Sequence, residues 1–430
     1  MKKLNLLSII ICIILICSML LNAVGCAIHS PVGGVTPNPN AKTENLIANI
    51  KSNDVTGLTA DAQFISAQAD FAVKLFQNTR TAGENTLISP LSVMLALAMS
   101  ANGADAKTRI EMEKLLGGDI PIEKLNAYLY SYVSSLPIDE KYKLQIANSI
   151  WFRNNIVEVN DAFLQSCADY YNAAIYDSPF DNITIDDVNA WVNESTYGMI
   201  DEILDSIDPD DLMFIINALV FDAEWGMPYR EDEISEGVFR PEGTEDAVRS
   251  VEMMHSFENL YLNDGMATGF IKNYKDGKYS FLALLPNEGV SLDDYIASLS
   301  GEKLLNLIND AEDAFVSVSL PQFEYEYEIK LNDALSSLGM KTAFNNRSAD
   351  FSRLGTAPAN IYICDVLHKT YITVNELGTR AGAITDTVFR FESAIISNNK
   401  VELDRPFMYL IIDNATNLPI FMGTVLDIGE

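Results

Sequence analysis

Acid–base chemistry near neutral pH most often falls to histidine, and this chain of 430 residues has three. His29 lies in a stretch rich in Pro, Gly and Asn, which leaves His255 and His368 as candidate general bases. Neither has a nucleophile context, for the chain contains no G-x-S-x-G elbow, no P-loop, no dinucleotide fingerprint and no H-E-x-x-H helix. Asp205, Asp208, Asp210 and Asp211 bunch in "DSIDPDD", but a calcium loop needs a central glycine and a closing glutamate, so the spacing reads as a solvated turn. Of five cysteines, Cys12 and Cys17 lie in an apolar run and Cys26 just after it. Cys167 and Cys364 remain, too few and too far apart for a disulfide framework or a metal site. Catalytic residues, metal ligands and cofactor sites are therefore not expected, and the familiar enzyme classes lack support.

The balance of 29 Lys+Arg against 60 Asp+Glu gives a formal charge of −31. Such a surface repels phosphate backbones, so nucleic acid is not an expected partner. The start, "MKKLNLLSIIICIILICSMLLNAVGC", has two lysines, a long apolar run and small residues before Cys26. It reads as an export signal over residues 1–25, and the cysteine resembles a bacterial lipoprotein box in which Cys26 is acylated. Leu4–Val24 is also long enough to span a bilayer uncleaved. Either reading places the remainder outside the cytoplasm, anchored to the membrane at the cell surface.

The elements that would position a site follow. Residues 26–59, opening "AIHSPVGGVTPNPNAKTENL", read as a flexible tether, and residues 60–430, free of a second linker or repeat, as one domain. In "NTLISPLSVMLALAMSANGAD", Ser89 caps, Pro90 occupies the first turn and Gly103 ends a helix apolar on nearly every side, which must be buried. "IDDVNAWVNESTYGMIDEIL" is amphipathic and suits a surface helix. "DLMFIINALVFDAEW" reads as a strand covered on both faces, with Asn217 alone inside it. Asp276-Gly277 marks one hairpin turn, and residues 414–419 close a terminal hairpin. The sum is an α+β fold of large, mostly antiparallel sheets around a buried helix.

Several stretches resemble one family, the serpins. They are "NTLISPLSVMLALAMSANGADAKTRIEMEKLL", "LMFIINALVFDAEWGMPY", "SLPQFEYEYEIKLNDALSSLGMKTAFNNRSADFSRL", "VLHKTYITVNELGTRAGA" and "VELDRPFMYLIIDNATNLPIFMGTV", in the family's order. The resemblance implies the serpin fold with an exposed reactive-centre loop. It implies a suicide-substrate inhibitor of serine, or alternatively cysteine, proteases, acting as a monomer and not as an enzyme. A target protease cleaves the loop and forms an acyl-enzyme; the freed arm, hinged at Glu376, Gly378 and Thr379, inserts into the main sheet and distorts the protease. By the same resemblance His368 lies beneath the opening of the sheet with Ser89, Ser92 and Asn217, and Trp225 lies near the point where the loop enters. Counting from Gly378 puts the cleaved bond at Glu392–Ser393, whereas counting back from Pro406 points nearer Ile395. Arg390 would suit a trypsin-like target, Phe389 or Phe391 a chymotrypsin- or subtilisin-like one, and Glu392 a glutamyl-specific one.

The stretch "NELGTRAGAITD", residues 375–386, is small and polar where a fixed strand would favour bulky β-branched residues. Side chains alternate across a strand, so Thr379, Ala381, Ala383 and Thr385 share one face, and Arg380, Gly382, Ile384 and Asp386 the other. The first set can slide over a packed core; the second keeps both charges on the outer side. The alternative function is a non-inhibitory serpin-fold surface lipoprotein with a binding or structural role.

Overall fold

The computed structural model describes residues 43–136, 142–171, 173–241, 248–379 and 398–429. Strands in chain order are β1 (Glu44–Asn45), β2 (Thr86–Ile88), β3 (Tyr142–Arg153), β4 (Glu158–Val159), β5 (Ala174–Ser178), β6 (Met213–Glu224), β7 (Ile234–Phe239), β8 (Arg249–Asn263) and β9 (Ala267–Asn273). They continue with β10 (Tyr279–Pro286), β11 (Glu312–Pro321), β12 (Phe323–Lys330), β13 (Gly355–Thr356), β14 (Asp365–Val374), β15 (Gly378–Thr379), β16 (Asn399–Glu402), β17 (Phe407–Asp413) and β18 (Leu418–Val425). The helices used below are α1 (Ala62–Thr79), α2 (Pro90–Ala101), α3 (Ala106–Gly117), α4 (Ile122–Ser135), α5 (Asp161–Tyr170) and α6 (Asn182–Ser195).

The main sheet has seven strands in the order β1-β5-β3-β6-β15-β14-β12. A second, nine-stranded sheet runs β16-β11-β8-β9-β10-β17-β18-β2, with β7 paired to β8. Most neighbours are antiparallel, as expected from the hairpin signals. Helix α2 lies between the sheets, against β3 and β6 of the first and β18 of the second. All of its residues are buried, Ser89 caps it by accepting from the Ser92 amide, and Pro90 fills its first turn. Each of its Leu, Val and Met side chains stabilises the fold by about 1.5–3 kcal/mol through burial. The terminal hairpin β17–β18 and the turn at Gly277, where φ is +61°, are where the sequence placed them.

Helix α6 puts its apolar stripe, Val188, Trp191 and Val192, against the outer face of the main sheet, in a cluster with Phe214, Ile216, Ala218 and Leu367. Ile200, Ile203 and Leu204 of the segment after α6 complete that roof.

One expectation needs correction. Residues 43–59, which the sequence suggests belong to a tether, lie against the body of the fold. Thr43 hydrogen-bonds Ser178 (2.7 Å), β1 pairs with β5, and the Leu46 amide donates to Ile175 O (2.8 Å). Leu46, Ile47 and Ile50 are packed on the core, and the Leu58 amide reaches Ala127 O of α4 (2.9 Å). Apolar residues spaced through "ENLIANI" supply this attachment, so the folded unit begins no later than Thr43, ahead of the boundary at residue 60.

Candidate functional site

In the lower half of the main sheet β6 and β14 are direct neighbours, and parallel, with His368 registered opposite Asn217. Both side chains point inward to the start of α2. The Ser89 amide donates to His368 Nε2 (3.2 Å), and His368 Nδ1 donates to Asn217 Oδ1. Asn217 Nδ2 in turn donates to Ser92 Oγ and to Asn148 Oδ1. Burial pushes the imidazole down to about 3, so it is neutral, and both ring nitrogens are satisfied. Ser89, Ser92, Asn217 and His368 thus come together as the sequence implied. Asn148 of β3, which donates to Ser92 O (3.3 Å), is a further member that the sequence reading missed. A polar residue inside "QIANSIWF" was its only signal.

Higher up, β15 is wedged between the same two strands. Gly378 and Thr379 pair antiparallel with Glu224 and Ala223 of β6, and Thr379 pairs with Val374 of β14. The chain reverses after β14 through a turn in which Asn375 Oδ1 accepts from the Leu377 amide (2.9 Å) and the Gly378 amide (3.2 Å). A Cβ at Gly378 would collide with the Ala223 carbonyl oxygen, which is why glycine stands there. Thr379 is 1% exposed and its hydroxyl meets Tyr274 OH (2.5 Å), so it faces inward as the alternation predicted.

Trp225 sits where the loop turns into the sheet. Its amide donates to Leu377 O (2.8 Å), its Nε1 to Asn375 O (2.8 Å), and its ring stacks on Tyr274 at 4.6 Å. Glu376 accepts from the Tyr229 amide at its carbonyl (2.9 Å) and from Gln322 Nε2 at its carboxylate (3.2 Å). Tyr229 and Tyr274 are contacts of the hinge that the sequence did not point to. A family model described as serpin (serine protease inhibitor) matches residues 66–428.

The chain is a serpin. Among solved structures it is similar to a thermophilic serpin, tengpin, in the native state, with 51% identity and a TM-score of 0.86, covering 90% of this chain and 99% of that one. Against tengpin in the latent state the TM-score is 0.77 at 49% identity, covering 88% and 100%. Among curated proteins, a leukocyte elastase inhibitor of Xenopus laevis is 28% identical over 376 residues, covering 83% of this chain and 97% of that protein.

The remaining residues singled out for this serpin divide in two. Ala381, Gly382, Ala383 and Thr385 of the hinge, and Arg390, Phe391, Glu392, Ser393 and Ile395 at the reactive bond, lie outside the described residues, as does Cys26. His255, the other candidate base, is exposed on β8 of the second sheet, between Ser235 (2.9 Å) and Ser319 (3.1 Å). The aspartates of "DSIDPDD" close their own turn, Asp211 Oδ2 accepting from the Asp208 amide (2.9 Å) and Asp208 Oδ1 from the Asp210 amide (2.9 Å). Among the described residues no group of His, Cys, Asp and Glu is arranged to hold a metal ion.

Proposed function

We propose that this serpin is an irreversible suicide-substrate inhibitor of serine, or alternatively cysteine, proteases, held at the cell surface by a lipid on Cys26. The observation that carries the reading is β15: the first two residues of the arm already occupy the gap between β6 and β14. An arm inserting in that register would bring Ala381 opposite Phe221 and Ile372, Ala383 opposite Leu219 and Thr370, and Thr385 between Asn217 and His368. Each inward residue of the arm is small, and the third arrives at the seam with a hydroxyl that both donates and accepts. Insertion then exchanges the Asn217–His368 hydrogen bond for two to Thr385, which spares the buried polar groups a period without partners. The strand gains ladder bonds on both sides, so the cleaved form lies below the intact one and the intact form is kinetically trapped. Loop insertion in serpins is a known example of this kind of switch.

The experiment is to mix the protein with proteases of trypsin-like, chymotrypsin-like, subtilisin-like and glutamyl specificity. A complex that survives denaturing electrophoresis is expected with at least one, and the mass of the released C-terminal peptide locates the bond. Clean turnover by every protease, with a clipped form that melts no higher than the intact one, supports instead a non-inhibitory surface lipoprotein.

A further inference from the structure

Beneath the hinge lies an ion pair that none of the steps above uses. Lys272 Nζ, at the end of β9, donates to Glu258 Oε1 of β8 at 2.8 Å, and the two side chains are only 3% and 9% exposed. Ser256 Oγ donates to the same carboxylate oxygen (2.7 Å) and lies 3.4 Å from Tyr229 OH. The ammonium stands 4.4 Å from the centre of the Tyr229 ring and 5.5 Å from that of Trp225. Withdrawing two charges from water is costly, and an apolar pair of similar volume commonly serves stability equally well or better. Stability alone therefore gives no reason for the pair.

Its position does. Tyr229 and Trp225 are the two residues whose backbone amides hold the turn at Glu376 and Leu377, and Trp225 also holds Asn375 through its indole. A cation facing both rings fixes their planes and so the direction of the donors that grip the turn. We infer that Lys272, oriented by Glu258, is a positioning residue that keeps Gly378 and Thr379 inserted before cleavage, and so sets how fast the arm zips in afterwards. Starting a new strand is the slow step of such a process, because chain is ordered before many contacts reward it. A hinge already in register has passed that step. In a race between insertion and hydrolysis of the acyl-enzyme, the pre-set hinge favours trapping. The consequence for trapping rests on the inhibitory reading proposed above; the hold on the hinge does not.

The test compares the intact protein with Lys272→Met/Glu258→Leu, which leaves no buried charge unpaired, and with Lys272→Arg, which keeps the cation. Amide hydrogen exchange is followed at Trp225, Tyr229 and Gly378, with β17 and β18 as internal reference. The double variant is expected to exchange about thirtyfold faster at the three hinge amides, the size of a desolvated cation–π contact, with the reference strands unchanged and Lys272→Arg close to the parent. The moles of serpin consumed per mole of protease trapped should rise in parallel. Parent-like exchange at the hinge in the double variant, or equal acceleration in the reference strands, overturns the inference. Absence of a trapped complex in the parent protein itself would instead count against the inhibitory reading, while the exchange result stands separately.

Discussion

Asn217 and His368 face each other across a parallel junction of two strands, joined side chain to side chain by His368 Nδ1–H and Asn217 Oδ1. Parallel neighbours so far apart in sequence leave a seam that a third strand, antiparallel to both, can enter, and β15 has begun to do so from above. The seam is closed by a neutral, fully satisfied imidazole, which makes it sensitive to acid.

His368 is held near 3, below the ordinary 6.5 of an unfolded chain. A histidine with a depressed folded value contributes stability that is complete above about pH 6.5 and is lost as pH falls toward 3. The loss approaches about 1.4 kcal/mol per pH unit for this group. Thermal unfolding between pH 4.5 and 7.5 should show it, and His368→Gln should flatten the slope while lowering stability at pH 7.5. An identical slope in the variant would remove His368 as the source.

Thr379 is buried against Tyr274, and Gly378 has no room for a side chain. Thr379→Arg would have to bury a guanidinium and Gly378→Val would collide with Ala223 O, so each should expel the hinge from the sheet. Both variants should fold and be cleaved as plain substrates, with no trapped complex and no gain in melting temperature on cleavage. Unchanged trapping by either would contradict the hinge assignment.

The outer face of the sheet is not all solvent, which alters the expectation for the charges of the arm. Were the arm of the proposed inhibitor to insert on the register of β15, Arg380 would come beside Asp222, and Asp386 between Ile216 and Leu367, which lie under the roof formed by α6 and the segment after it. Burying a carboxylate there costs several kcal/mol unless it is protonated or the roof lifts. Asp386→Asn should therefore raise the melting temperature of the cleaved form and lower the amount of serpin consumed per protease. For the parent, whose carboxylate insertion would take out of water, the cleaved form should gain stability as pH falls. Equal melting of the two cleaved forms at pH 7.5 would argue that the arm stops short of residue 386.

Glu44 of β1 stands directly opposite Asp177 of β5. Burial, and then the Glu44 charge, push Asp177 up to about 6. A carboxyl with a raised folded value favours the fold at low pH and loses that contribution as pH rises through 6. Asp177→Asn should stabilise the protein at pH 7.5 by about 1 kcal/mol, discounted for its partial exposure, by about half as much at pH 5, and by little near pH 3.5. A pH-independent effect would assign the change to hydrogen bonding instead of charge.

Much of this was legible in the order of residues. The buried helix announced itself by Ser89, Pro90 and an apolar circumference, and the central strand by an unbroken β-prone run. These are local signals, set by helix and strand periods and by caps, which adjacent residues determine among themselves. The family's motifs brought Ser89, Ser92, Asn217 and His368 into one cluster before any coordinates did. What the sequence did not determine is set by contacts between segments hundreds of residues apart. Asn148 joins the cluster only because β3 lies beside β6, the outer face of the sheet has an apolar roof only because α6 folds back over it, and Lys272 meets Trp225 and Tyr229 only because two sheets converge under the hinge. Burial and the company of charges belong to the assembled fold, so only the tertiary structure decides them.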